Sequence, residues 1–179
     1  MLIEPLRELS DEDARRLIVG YTTPKIYRYS KSETRERTEI AFELVEQPFE
    51  KRFPLPPMMI AYYRAILSGG LSFKATEDDA FIGLTVADTQ WNGIAIVWEL
   101  HVDPLYRRRG IGRALLEAVE GAARSKKLRM VSIEVQSTNV PALDFYRACG
   151  YEIGAIDTAF YSNDDAAKGE IDVFMRKAL

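Results

Sequence analysis

The stretch Val102–Gly121, "VDPLYRRRGIGRALLEAVEG", sets Arg107, Gly110 and Gly112 in a turn between an apolar strand and an apolar-periodic helix. At the start of a helix the first backbone N–H groups have no intrahelical acceptor. The peptide dipoles add positive potential there, and glycine lets an anion come close to the main chain. The pattern therefore suits a phosphate group, with a purely structural glycine turn as the competing explanation. Two familiar phosphate loops do not fit. A dinucleotide fingerprint needs a third glycine where this chain has Leu115, and a P-loop needs a Gly-Lys-Ser/Thr ending that is absent. Arg108 and Arg109 read as solvated charges somewhat more readily than as contacts to a phosphate.

Other chemistry is limited by composition. The chain has one histidine, His101, and one cysteine, Cys149. A zinc site of His and Cys ligands needs more of both, so no metal is expected. The only conceivable Cys–His nucleophile would pair those two residues, and a small buried thiol in "RACGY" is the simpler reading. With a single cysteine there is no internal disulfide and no sign of an oxidising compartment.

The 179 residues fit one domain, taken here as 1–179, and 47% apolar content supplies an ample core. Lys and Arg number 24 against 27 Asp and Glu, a net charge of −3, which makes a poor general binder of nucleic acid and suits a cationic substrate better. The N-terminus lacks the basic and apolar regions of a secretory signal, and no run approaches a membrane span, so the expected location is the cytoplasm, without membrane partners.

The elements that must position the turn follow from pattern. Residues 2–9 read as a short strand, and Ser10 as the N-cap of an acidic-first helix to about Val19. Pro24 limits "YTTPKIYRY" to a loop or edge strand. "SKSETRERTE" reads as a solvated loop leading into the strand "IAFELVEQPF". A helix is predicted from Pro57 to Leu67, stopped by Gly69-Gly70. Two strands then flank the acidic turn Glu77-Asp78-Asp79. Asn92-Gly93 predicts a type I′ hairpin turn before "IAIVWELHV". In that strand, alternation places Ile94, Ile96, Trp98, Leu100 and Val102 on one face, with Ala95, Val97, Glu99 and His101 on the other. The helix after the turn repeats Ile111, Ala114, Leu115, Ala118, Val119 and Ala122. "MVSIEVQ" is a buried strand, a helix follows from Pro141 to Cys149, and two final strands are joined by "SNDDAAKG".

Two segments in order carry a resemblance. "ELHVDPLYRRRGIGRALL" resembles the acetyl-CoA signature of the GCN5-related N-acetyltransferases, and "EVQSTNVPALDFYRACGY" resembles their Asn-x-x-Ala-x-x-Phe-Tyr-x-x-x-Gly-Tyr segment. With their strands they cover roughly residues 79–160. The resemblance implies a mixed α/β fold (α+β) with a mostly antiparallel sheet, in which strands 94–102 and 130–136 run parallel and splay to admit CoA. More narrowly, "WNGIAIVWELHV", "IDTAFY" and, more faintly, "YTTPKIYRY" and "VEQPFEKRFP" are similar to streptothricin (nourseothricin) acetyltransferases.

Roles follow residue by residue from that resemblance. Arg107, Arg108, Arg109, Gly110, Ile111, Gly112 and Arg113 would hold the CoA pyrophosphate, chiefly through backbone N–H groups. Arg108 stands where many members have glycine. Leu100, His101 and Val102 would face the pantetheine arm. Asn139, with Ala142 in the same motif, would contact the cofactor, and Asn139 also reads as a helix N-cap before Pro141. Tyr146 would protonate the departing thiolate. The acceptor amine must lose a proton from an ammonium of pKa about 10, so a carboxylate base is wanted. Glu134 is the first candidate, on the spacing of some members that acetylate protein N-termini, and Glu99 the second. Each also reads as a carboxylate on the polar face of its strand. Trp91, Asp157 and Tyr161 are substrate-contact candidates from the narrower likeness, with hairpin, turn and core packing as alternatives.

The expected function is acetyl transfer from acetyl-CoA to a primary amine of a small cationic metabolite such as streptothricin. A protein N-terminal or lysine acetyltransferase is the alternative within the class, and a non-catalytic CoA-binding module the alternative outside it. The oligomeric state is left open, a homodimer included.

Overall fold

The computed structural model describes residues 1–179. In chain order the elements are β1 (Leu2–Pro5), α1 (Asp11–Leu17), β2 (Gly20–Glu33), β3 (Thr38–Arg52), α2 (Pro57–Ile66), β4 (Phe73–Glu77), β5 (Ala80–Thr89), β6 (Ile94–Val102), α3 (Ile111–Ser125), β7 (Met130–Gln136), α4 (Val140–Ala148), β8 (Glu152–Asp157), α5 (Asp165–Lys168) and β9 (Asp172–Ala178). They pack as two compact units. One comprises Met1–Val19, Phe53–Ile133 and Lys177–Leu179, the other Gly20–Arg52 and Glu134–Arg176. No helix is long and apolar enough to cross a membrane.

In the first unit the strands are ordered β1-β4-β5-β6-β7. All neighbours are antiparallel except β6 and β7, which run parallel from Ile94↔Met130 to Val97↔Ile133. The mixed, mostly antiparallel sheet with one parallel pair is the expected class. Two apolar clusters fix the helices. Leu6, Leu17, Ile60, Leu84 and Val86 pack α1 and α2 against β5. Ile111 and Leu115 pack α3 against Ala75 and Ile82, with Leu100 and Val102 beside them. Each such side chain, removed from water, contributes about 2 kcal/mol before the entropy of ordering it.

Ser10 caps α1 as expected, accepting from the Asp13 N–H at 3.0 Å. The buried stripe of α3 is Ile111, Leu115, Leu116, Val119, Glu120 and Ala123, so the alanines at 114, 118 and 122 lie at its margin. Glu120 is only 5% exposed. Its charge is matched by Lys177 Nζ at 2.9 and 3.0 Å and by Arg124, which is what a buried carboxylate requires.

Two expectations about the β5–β6 hairpin are corrected. The turn at Asn92-Gly93 is not type I′, since only Gly93 has positive φ (76°) and the Gly93 N–H bonds back to the Gln90 carbonyl. The hairpin with two consecutive left-handed residues is β4–β5, at Asp78 (φ 48°) and Asp79 (φ 63°). The alternation along β6 also breaks. Val86 pairs with Glu99 and Ala87 with Val97, leaving Trp98 as the extra residue of a β-bulge. Trp98 therefore packs with the α1/α2 cluster, while Leu100 and Val102 pack with α3.

In the second unit β7, β9 and β8 follow in that order, β8 and β9 antiparallel, and β2 and β3 form a separate two-stranded ribbon. The ribbon corrects the expected loop. Strand pairing runs from Gly20↔Arg52 to Glu33↔Thr38, so only residues 34–37 turn. Pro24 falls at the register shift between Thr23 and Lys25, where no ladder N–H is needed. Gly20 (φ 114°) is required, since a Cβ there would lie 2.0 Å from the Lys51 carbonyl oxygen. Against the ribbon, Arg147 of α4 donates to the Tyr27 hydroxyl at 2.9 Å and stacks over its ring. Strand β1 is shorter than expected, ending at Pro5.

Candidate active site

The first unit builds the glycine turn. The β6–β7 ladder ends at Val97↔Ile133 while β6 runs on to Val102, so Trp98–Val102 have no ladder partner on that side. A 3-10 turn, Pro104–Tyr106, is capped by Asp103 Oδ1 on the Leu105 N–H at 3.0 Å. Arg107 Nε donates to the Val102 carbonyl at 3.0 Å, tying the turn to the strand end. Arg109 is held by both oxygens of Glu77, at 2.9 and 2.8 Å, and lies 5.4 Å over the Tyr106 ring. It is a brace of the turn, and Arg108 beside it is also exposed.

Arg108 sits at φ 63°, which explains why glycine suits this position and implies a local cost of about 1–2 kcal/mol. Gly110 follows at φ 82° as the N-cap of α3, and it offers no side-chain cap to the helix amides. A Cβ built on Gly110 would meet nothing within 4 Å. Ile111, 2% exposed, anchors the first turn in the apolar cluster. The result is a helix start with backbone donors, open space at Gly110 and flanking arginines, a donor set that fits a pyrophosphate.

On the other side of β6, Tyr63 of α2 donates to Glu99 Oε1, and Glu99 Oε2 lies 2.5 Å from His101 Nε2. The His101 ring meets Phe53 edge-on at 6.0 Å. Both oxygens of Glu99 are thus engaged. Trp91 stands at the hairpin turn, 97% exposed.

The second unit carries the remaining candidates. Asn139 is the N-cap of α4, accepting from the Ala142 N–H at 3.3 Å. Tyr146, 5% exposed, packs against Phe145 and Tyr151 with ring centroids 5.3 and 6.3 Å away. Glu134 is half-buried on β7. Near it, the Tyr21 hydroxyl donates to Gln136 Oε1 at 2.9 Å and pairs with Thr138 Oγ1 at 2.7 Å. Burial chiefly raises the Tyr21 pKa; Thr138 opposes the shift, and Glu170 and Glu134 add to it.

Asp157 ends β8, where Oδ1 accepts from the Ala159 N–H at 2.9 Å. Tyr161 is exposed and stacks edge-on with Phe160, while its N–H donates to Asp165 Oδ2 at 2.7 Å. Sequence reading missed Asp172, which faces Asp157 across the β8–β9 ladder and is fully buried. Its only sequence signal is an acidic residue inside a strand of apolar neighbours. No group of three or more His, Cys, Asp or Glu is arranged to hold a metal ion.

Residues 35–151 match the acetyltransferase (GNAT) family model, and the chain belongs to that family of acetyl-CoA-dependent N-acetyltransferases. Streptothricin acetyltransferase A of Bacillus subtilis (strain 168) is 30% identical over 132 residues, 74% of this chain and 75% of that protein. Among solved structures, a nourseothricin acetyltransferase is 27% identical with a TM-score of 0.70, covering 95% of each chain. A Bacillus anthracis protein in complex with acetyl coenzyme A has a TM-score of 0.74 over 99% of each chain, a likeness of fold at 24% identity.

Proposed function

We propose that this N-acetyltransferase acetylates a primary amine of a small cationic metabolite of the streptothricin type. The observation that carries the acceptor class is the 30% identity to the Bacillus subtilis streptothricin acetyltransferase across three quarters of that protein. The carboxyl groups of Glu134 and Asp157, in the unit that also holds Tyr146, support a cationic acceptor.

Acetyl-CoA supplies an acetyl group activated as a thioester, whose carbonyl carbon bonds to the amine as the thiolate departs. The backbone of the Arg107–Arg113 turn holds the pyrophosphate, with the exposed Arg108 free to meet a further phosphate. The unladdered end of β6, Leu100–Val102, offers main-chain groups to the pantetheine arm, and Asn139 and Ala142 add contacts at the start of α4. Glu134 removes the first proton of the acceptor ammonium, directly or through water, and the Tyr146 hydroxyl gives its proton to the departing sulfur. The second proton that the nitrogen loses as the amide forms restores the tyrosine, directly or through water. Glu134 is taken as the base for its place on β7, in the unit that also holds Tyr146, and Glu99, bound by Tyr63 and His101, is the second candidate.

The test is kcat/KM for acetyl transfer to streptothricin, to a polyamine and to a peptide with a free N-terminus. Streptothricin is expected to rank first. A preference for the peptide would replace this reading with protein N-terminal acetylation. Tight CoA binding without turnover of any amine would leave a non-catalytic module.

A further inference from the structure

Three carboxyl groups stand on neighbouring strands of the second unit: Glu134 on β7, Asp172 on β9 and Asp157 on β8. The Ser137 N–H donates to the Ile171 carbonyl at 2.8 Å, which holds β9 against the end of β7, and Asp157 pairs directly with Asp172. Exposure differs sharply. Asp157 is exposed, Glu134 half-buried and Asp172 0% exposed. Neither oxygen of Asp172 closes a well-formed hydrogen bond. The Glu134 side chain and the amides of Val173 and Val135 lie near enough to favour its ionised form, but burial outweighs them and Asp157 adds repulsion. The Asp172 pKa is pushed up to about 7.

No cation is among the groups that shift Asp172. Arg176, further along β9, is committed to the Gly154 carbonyl and the Phe174 ring. Tyr21, whose pKa is itself raised, faces Glu134 from β2, and beyond it Glu170 is paired with Lys51. A buried Asp172 beside a second carboxyl, with no cation among the groups acting on it, is poorly able to ionise together with that neighbour.

We propose that Asp172 is a positioning residue for the base Glu134: the two carboxyls act as a pair that holds a proton, and Asp172 sets the basicity of Glu134. The proposal rests on Glu134 being the base. The acceptor ammonium gives its proton to a Glu134 oxygen. The pair holds that proton between Glu134 and Asp172, and Glu134, the more open partner, releases it to solvent. No oxidant or reductant is involved, and Asp172 touches neither the acceptor nor the cofactor.

The experiment compares the pH dependence of kcat/KM for wild type, Asp172→Asn and Glu134→Gln with one acceptor, so that the acceptor's own titration is common to all. Wild type is expected to show an inflection near pH 7. Asp172→Asn should move it down by more than one pH unit with the KM for acetyl-CoA unchanged, and Glu134→Gln should lose it together with most of kcat. A full-rate Glu134→Gln enzyme would remove the base reading itself. An impaired Glu134→Gln with an Asp172→Asn profile that overlays wild type would overturn the Asp172 proposal alone. Should Asp172→Asn not fold, carboxyl carbon-13 NMR titration of the wild-type chain serves instead. An Asp172 midpoint near neutrality that moves in Glu134→Gln is expected, and a midpoint in the ordinary carboxylate range would overturn the proposal.

Discussion

A carboxyl group that titrates at about 7 when folded and at its ordinary 3.8 when unfolded makes folding depend on pH, and Asp172 is such a group. Between those values the folded chain keeps the proton that the unfolded chain loses, so stability falls as pH rises. Below 3.8 the residue costs nothing, and above 7 the whole cost is in place, on the order of 4 kcal/mol. Asp172→Asn keeps the shape and removes the charge. Thermal melts should show it more stable than wild type at pH 8 and equal to it near pH 4; a lower melting temperature at pH 8 would contradict the burial cost. Asp172 was invisible to sequence reading for a physical reason. Its apolar neighbours Ile171 and Val173 hint at enclosure, but the burial and the carboxyls of Asp157 and Glu134 that shift it come from other strands. Glu120 escaped notice in the same way, since its partner Lys177 is 57 residues distant. The Asn139 helix cap and the helix start at Gly110 were legible because each is encoded by adjacent residues.

Among the elements, the β6–α3 turn bears the most chemical weight, and its geometry allows a clean substitution. Gly110→Ala brings a Cβ into space where no protein atom lies within 4 Å. The expected stability cost is only the left-handed backbone, about 1–2 kcal/mol. Calorimetry should nonetheless show CoA bound at least tenfold more weakly, about 1.4 kcal/mol, because the new methyl occupies the side from which the anion approaches. Unchanged affinity would show that the turn does not hold the pyrophosphate. Local pattern served well for this element and poorly for the β2–β3 ribbon. Pro24 allows a loop or an edge strand, and the second holds, whereas the charged run at 30–39 reads as a loop and is mostly strand. In a two-stranded ribbon each strand has a free edge, so a residue without an N–H and side chains that prefer water are both tolerated there. The bulge at Trp98 was likewise hidden, because strict alternation presumes one residue opposite each partner and the sequence does not mark where that fails.

For the molecule as a whole, family membership makes this an enzyme that takes its acetyl group from acetyl-CoA, and the net charge of −3 is in keeping with the cationic acceptor proposed above. The assignment of acid and base within it depends most on Tyr146, a buried phenol that packs against two other rings. Ring packing alone would be preserved by Tyr146→Phe, so the variant separates structure from proton transfer. The decisive measurement is kcat for Tyr146→Phe relative to wild type, with acetyl-CoA and the best acceptor both saturating. A fall of about 10²-fold with CoA affinity unchanged is expected if the hydroxyl protonates the departing thiolate. Equal kcat values would contradict acid catalysis by Tyr146.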